Sequence, residues 1–99
     1  MLEFDQTWVF LGSSGAGTPV QVTGAVNFSA WYASVSTAST ATVEIQSAMD
    51  STGPWFVESS TSLTAGSMRV LRITGPLLWV RPNNNSTGDR VTVRGVGVS

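Results

Sequence analysis

Short apolar segments recur along the 99-residue chain, and turn residues separate them. No long stretch keeps apolar residues at helical spacing, whereas β-branched residues, serine and glycine are abundant. Short apolar runs at spacings of about 8–12 residues are typical of a sandwich or barrel. We therefore predict an all-β fold, an antiparallel β-sandwich of about eight strands. The predicted strands are residues 7–11, 20–23, 26–35, 43–47, 55–57, 69–74, 77–81 and 90–98.

Turn residues fix where several of these strands end. Asp50 begins a strong turn that ends at Gly53 and Pro54, since Asp can bond its own downstream backbone and Gly accepts positive φ. Pro82 is expected to end the strand at Arg81, and a polar loop is expected over 83–88.

The last strand changes its apolar phase. Val91 and Val93 are odd-numbered, whereas Val96 and Val98 are even-numbered. A slip of one residue moves side chains to the other face, so a β-bulge at Gly95 is predicted. The alternative is a strand that is buried on both faces.

The chain is predicted to be a single domain over 7–99, with 1–6 as a possible N-terminal arm. Leu2 and Phe4 are apolar residues in a terminal segment, which would usually be disordered unless it were tied down. They indicate either an arm that docks on a neighbouring chain or an ordinary first strand.

Composition narrows the classes of function. Only 11% of the residues are charged, against about 25% in a typical soluble domain, and the net charge is −1. Nucleic-acid binding is not expected from this charge, and no apolar run reaches the ~20 residues of a membrane helix. All five basic residues are arginine, which suits interface use as well as GC-rich coding.

The residue types that most catalytic sites need are missing. Histidine, cysteine and lysine are absent, so a Ser-His-Asp triad and the usual zinc or haem ligands cannot be assembled within the chain. Glu44 and Glu58 lie on neighbouring predicted strands, but each alternates with apolar residues and reads as solvent-facing. Asp50 or Asp89 could bind calcium, but neither belongs to a dense acidic loop. We therefore expect that the chain is not an enzyme and that it binds no cofactor and no metal.

The four tryptophans are the remaining candidates for a binding role. In a small sandwich each can fill the core or a protein interface, and a row of exposed rings can instead stack on sugars. Trp8 and Trp31 are expected to be the exposed pair, because each stands beside a large residue that points the opposite way.

Two stretches resemble small structural proteins of tailed bacteriophages. One runs from Val43 through the Asp50 turn to Trp55; the other joins the 78–81 strand, through a polar loop, to the final Val-Thr-Val strand. The resemblance implies a jelly-roll-like sandwich on a virion, made in the host cytoplasm. The implied role is a head decoration or cement protein on the capsid surface, which binds the major capsid protein or other virion proteins.

Two function hypotheses follow. The first is a structural virion protein, a homo-oligomer that works through protein–protein contacts; the second is a carbohydrate-binding β-sandwich module with exposed tryptophans. The residues predicted to contact partners are Leu2, Phe4, Trp8, Phe10, Trp31, Arg81 and Asn84.

Overall fold

The structure, a computed structural model, describes residues 2–22, 28–35, 40–64, 67–74, 78–86 and 90–98, without the side chains of residues 2–4, 28 and 98. Strands dominate the described part of the chain, which contains no helix. The strands are β1 (Leu2–Leu11), β2 (Gly15–Ala16), β3 (Val20–Gln21), β4 (Phe28–Val35), β5 (Ala41–Ala48), β6 (Phe56–Leu63), β7 (Met68–Thr74), β8 (Trp79–Asn84) and β9 (Arg90–Val98). No described helix is long and apolar enough to cross a membrane.

The strands form two antiparallel sheets. Sheet A has the order β1-β9-β4-β7, and sheet B has the order β2-β8-β5-β6 with β3 also paired to β8. Because β2 and β3 follow one another along the same edge of β8, they occupy one strand position. Counted in this way, the order is first-eighth-third-sixth in sheet A and second-seventh-fourth-fifth in sheet B, the order of a jelly roll. The predicted antiparallel β-sandwich is confirmed.

The core lies between the sheets and is built by alternation. In β5 every second residue from Ala41 to Ile45 is buried, while the residues between them are half-buried on the outer face. Trp31 is the largest fully buried side chain; its indole N–H donates to Ser29 Oγ at 3.1 Å. The other buried members of the core cluster are Val22, Ala33, Val35, Ala41, Val43, Ile45, Leu63, Leu71, Ile73, Val80, Val91 and Val93.

The N-terminal segment belongs to the first strand. Residues 2–6 form the first half of β1 and pair with β9, from Leu2 opposite Val98 to Gln6 opposite Gly95. The sequence left two possibilities open, a docking arm or an ordinary first strand. The described backbone forms the strand. Met1 lies outside the described residues.

The predicted end of a strand at Arg81 is wrong, because β8 continues through Pro82 to Asn84. A strand residue points its N–H and C=O to the same side, and the Pro82 carbonyl accepts a bond of 2.8 Å from the Gly17 amide. The missing N–H of Pro82 therefore faces the interruption between β2 and β3, where no ladder bond is lost.

The predicted bulge at Gly95 is also wrong. Gly95 lies opposite Gln6 on one side and Trp31 on the other, with no change of register at that position. The inward phase of Val91 and Val93 continues through Gly95, which is buried, while Val96 lies half-buried on the outer face. A Cβ on Gly95 would lie 2.5–2.8 Å from three atoms of the Trp31 ring. Glycine therefore keeps the strand regular by leaving room for the indole.

The predicted turn after β5 is confirmed. The Asp50 carboxylate accepts bonds from the Thr52 backbone N–H at 3.0 Å and from its hydroxyl at 2.9 Å. Gly53 has φ of +90° and donates its N–H to the Asp50 carbonyl at 3.0 Å. The turn leads the chain to Trp55, the residue before β6.

Candidate functional site

The tryptophans expected to be exposed are in the core, so that prediction is wrong. Trp31 has no exposed surface, and Trp8 is half-buried against it with the two ring centroids 5.4 Å apart. The Trp8 indole N–H donates to the Thr18 carbonyl at 3.0 Å. The two rings therefore fill the sandwich, as large side chains must in a small core.

The other predicted contact residues are spread over the molecule. Phe10 is half-buried and packs on the core. Asn84 is buried, donates to the Ser13 carbonyl at 3.1 Å and accepts from the Ser86 amide, so it holds loops together. The side chains of Leu2 and Phe4 lie outside the described residues. Arg81 alone lies on an outer face of sheet B, half-buried.

Exposed apolar side chains lie at the same end of sheet B as Arg81. We call this set the tryptophan patch. Four of its members are strongly exposed and two are half-buried tryptophans. Aromatic residues and Met, here with Arg81 against one of the rings, are enriched at interface cores. The members are Met49 (83% exposed), Phe56 (63%), Val57 (53%), Leu78 (53%), Trp55 and Trp79.

Strand register brings these residues together. Gln46 lies opposite Val57 on one side and Arg81 on the other, and Ala48 lies opposite Trp79. The end of β5 and the beginnings of β6 and β8 therefore share one end of the sheet. Ser47 lies opposite both Phe56 and the core residue Val80, so Phe56 stands at this end of the sheet on the face opposite to Arg81 and Val57.

Arg81 organises the polar side of the patch. Its guanidinium carbon lies 4.2 Å from the centroid of the Trp55 ring, and its Nε donates to Gln46 Oε1 at 2.7 Å. Gln46 and Asn83 each donate to Glu44 Oε1 at 3.3 Å. Burial lowers the pKa of Arg81 from its ordinary value, but the guanidinium stays charged at neutral pH. The side chains are thus held in place beside the exposed rings.

A second apolar surface lies on the outer face of sheet A. We call it the pocket face: a shallow pocket of about 520 Å³ lined by Tyr32, Ser34, Met68, Thr92, Arg94 and Val96. Tyr32 is 37% exposed and Met68 is 59% exposed. Val9 of β1, which is 44% exposed, lies opposite Thr92 of β9. These side chains stand in register across four strands, so the face is continuous.

An ion pair fixes Arg94 at the rim of the pocket. Its Nε donates to Asp5 Oδ1 at 2.8 Å, and its terminal nitrogen donates to Oδ2. This hydrogen bonding lowers the pKa of Asp5 below its ordinary value and raises that of Arg94.

The lowered pKa of Asp5 predicts a pH effect on stability. The pair contributes above the ordinary carboxyl pKa of about 3.9 and is lost as pH falls through the lower folded value. Asp5→Asn should therefore lose less stability than the wild-type chain between about pH 5 and pH 2 in urea unfolding. Parallel stability curves for the two proteins would contradict the assignment.

The structure also places the two carboxylates that were weighed for catalysis. Strands β5 and β6 are neighbours as expected, but Glu44 bonds Gln46 and Asn83, whereas Glu58 accepts a bond from Ser47 at 2.6 Å. Within the described ranges, no three Asp, Glu, His or Cys side chains come together as metal ligands would.

Comparison with known proteins shows that this chain is similar in fold to several solved structures. No protein-family model and no curated protein matches the chain. The crystal structure of PirA matches 95% of this chain and 93% of its own, with a TM-score of 0.63 and 17% identity. The SPBc2 prophage-derived protein YomS matches 97% of this chain and 96% of its own, with a TM-score of 0.55 and 20% identity.

A carbohydrate-binding module has a similar fold. The CBM22-1-GH10 modules of Clostridium thermocellum xylanase Xyn10B, complexed with xylohexaose, match 77% of this chain with a TM-score of 0.53 and 14% identity. This chain spans only 17% of that chain's length. The sandwich is therefore a fold shared by a prophage-derived protein and a module of a xylanase.

Sequence reasoning missed most of the tryptophan patch. Trp55 and Phe56 looked like ordinary strand residues, and Met49 and Leu78 stand at strand ends where the alternation is weak. One signal was present in the sequence: Trp55 follows the Asp50 turn directly, and a ring at the end of a tight turn lies at the rim of a sheet.

Proposed function

We propose that this chain is a structural protein of a tailed-phage virion, without catalytic activity or cofactor, that acts by binding other protein chains. Its specific role in this proposal is capsid decoration, with the major capsid protein or a neighbouring virion protein as partner. The fold shared with the prophage-derived YomS along nearly the whole of both chains supports it.

The tryptophan patch is the observation that carries the proposal. Exposed Phe56, Leu78 and Met49 gain from burial at roughly 25 cal/mol per Å² of apolar surface removed from water. Trp55 and Arg81 are pre-ordered beside them, so little side-chain entropy is lost on contact. Exposed apolar side chains at one end of a sheet, with ordered Trp and Arg side chains at the same end, have the composition of a protein-binding hot spot.

Co-sedimentation with capsids tests the proposal. The wild-type chain should pellet with shells assembled from the major capsid protein of the phage or prophage that encodes it. Phe56→Glu should weaken this binding at least tenfold, because it places a charge within the patch. Ser14→Glu, which adds the same charge in an exposed loop, is the matched control and should bind as the wild type does. Equal loss in both variants, or no binding by the wild type, would contradict the proposal.

Carbohydrate binding is the second candidate function. The xylanase modules that include a similar fold were crystallised in complex with xylohexaose. In this chain, Trp55, Trp79 and the ladder of Gln46, Glu44 and Asn83 offer rings and polar groups on one face. A glycan array and sugar titrations followed by tryptophan fluorescence test it. Because Trp8 and Trp31 are in the core, Trp55→Ala should reduce any response; absence of response in the wild type excludes this candidate.

A further inference from the structure

The charged residues are divided unequally between the two sheets. Four of the five arginines lie on strands of sheet A, which also carries two acids. Sheet B carries one arginine and two acids on its strands, and the acidic turn residue Asp50 follows β5. The arginines of sheet A are Arg69, Arg72, Arg90 and Arg94, and the acids of sheet B are Glu44 and Glu58. Sheet A is therefore basic and sheet B acidic.

The exposed apolar residues are divided between the same two sides. The pocket face on sheet A offers Tyr32, Met68 and Val9 around a concave pocket. The tryptophan patch on sheet B offers Phe56, Leu78 and Met49, which are side chains of a size that can enter such a pocket. The pocket face thus lies on the basic sheet, and the tryptophan patch lies on the acidic sheet.

The dimensions of the molecule allow a stable contact of this kind. The sandwich measures 39 × 26 × 17 Å, so the broad side that carries the pocket face spans about 1,000 Å², of which the tryptophan patch would cover a part. A standard protein interface buries roughly 800 Å² per partner. Pairing two basic sheets would place arginines against arginines, which costs affinity, whereas a basic sheet on an acidic sheet attracts.

We propose that the occupant of the pocket face is the tryptophan patch of a second copy of this chain. The inference rests on the proposed function, since it gives the tryptophan patch, already assigned to protein contact, a second copy of this chain as a further partner. The interface is heterologous: one copy uses sheet A and the next uses the end of sheet B. Head-to-tail contacts of this type form rings when the rotation closes and filaments when it does not.

Solution mass of the purified chain tests self-association. Across a range of roughly 1 μM to 1 mM, the wild-type mass should rise from that of the 10.4 kDa monomer to a multiple of it. Met68→Glu in the pocket face and Phe56→Glu in the tryptophan patch should each remain monomeric. Ser14→Glu, outside both surfaces, should associate as the wild type does. Circular dichroism melting of each variant reports whether it is folded.

A mixing experiment separates this interface from the alternatives. Met68→Glu keeps an intact tryptophan patch and Phe56→Glu keeps an intact pocket face, so a mixture of the two monomeric variants should form a 1:1 dimer and nothing larger. A two-fold interface between like surfaces would leave one single variant dimeric and would overturn the proposal.

A wild-type chain that stays monomeric at 1 mM, on the order of the weakest specific affinities, would also overturn it. The proposed virion function would survive that result if the monomer still pelleted with capsids. Conversely, self-association without capsid binding would support the head-to-tail interface and contradict the decoration role. The two failures are therefore distinguishable.

Discussion

Replacing Gly95 by valine is expected to cost more than about 4 kcal/mol of the free energy of unfolding. Even a single Cβ at this position would lie 2.5 Å from Trp31 Cζ3 and 2.6 Å from Cε3. The indole cannot withdraw, because it is fully buried and stacked on Trp8. Overpacking a well-packed core usually costs about 1–3 kcal/mol, and we expect about 2–4 kcal/mol for Gly95→Ala and more for valine. Urea unfolding followed by circular dichroism measures the loss.

A double-mutant cycle shows whether the ring is the cause. Trp31→Leu removes the six-membered ring that the new Cβ would meet. The double variant Trp31→Leu with Gly95→Ala should therefore lose about 1–3 kcal/mol less stability than the two single variants lose together. Simple addition of the two losses would mean that the strand, and not the indole, requires glycine at position 95.

Truncating Trp31 to alanine is expected to cost about 3–5 kcal/mol of the free energy of unfolding. The loss combines the transfer of a fully buried ring with the cavity left between the sheets, and Trp8 also loses the ring on which it stacks. For a domain of this size, 1 kcal/mol shifts Tm by roughly 4–8 °C, so a fall of well over 10 °C is expected.

Trp55→Ala is the matched control for this prediction. The same change at the half-buried ring of the tryptophan patch removes contact with Arg81 but leaves the core intact, and we expect a loss below about 1.5 kcal/mol. Equal losses at the two positions would contradict the division of the tryptophans into core and surface. That division also predicts that Trp55→Ala, and not a conservative change in the core, affects binding.

The sequence pattern predicted the class of fold because alternation and turn chemistry act locally. The alternation from Val43 to Ile45 and the turn from Asp50 to Gly53 depend on near neighbours, and both were predicted correctly. Pairing the strands as a jelly roll needs long-range register. The sequence supplied that order only through a resemblance to phage proteins.

The errors at Gly95 and Pro82 share one physical reason. Each residue was judged from its own strand, whereas its role depends on what lies opposite it. Gly95 faces a tryptophan ring across the sheet, and Pro82 faces the interruption between β2 and β3. The effect of a lone glycine or proline in a strand therefore depends on the residues of the partner strand.

The candidate site could not be read from the sequence for a related reason. Two of the four tryptophans fill the core and two border the patch, although all four stand in similar apolar runs. Trp8 and Trp31 stand within their strands, opposite the buried residues Val93 and Leu71, whereas Trp55 and Trp79 stand where β6 and β8 begin. The patch forms because β5 ends where β6 and β8 start.

Cysteine labelling of the patch tests the central claim most directly, because the chain contains no native cysteine. Val57→Cys places one thiol in the exposed patch, and Ser14→Cys places one in an exposed loop. Both thiols should react with maleimide at similar rates in the dilute chain. In the chain bound to capsids, labelling of Val57→Cys should be at least tenfold slower while Ser14→Cys remains reactive; equal rates at both positions would contradict the claim that the tryptophan patch is the surface through which this protein acts.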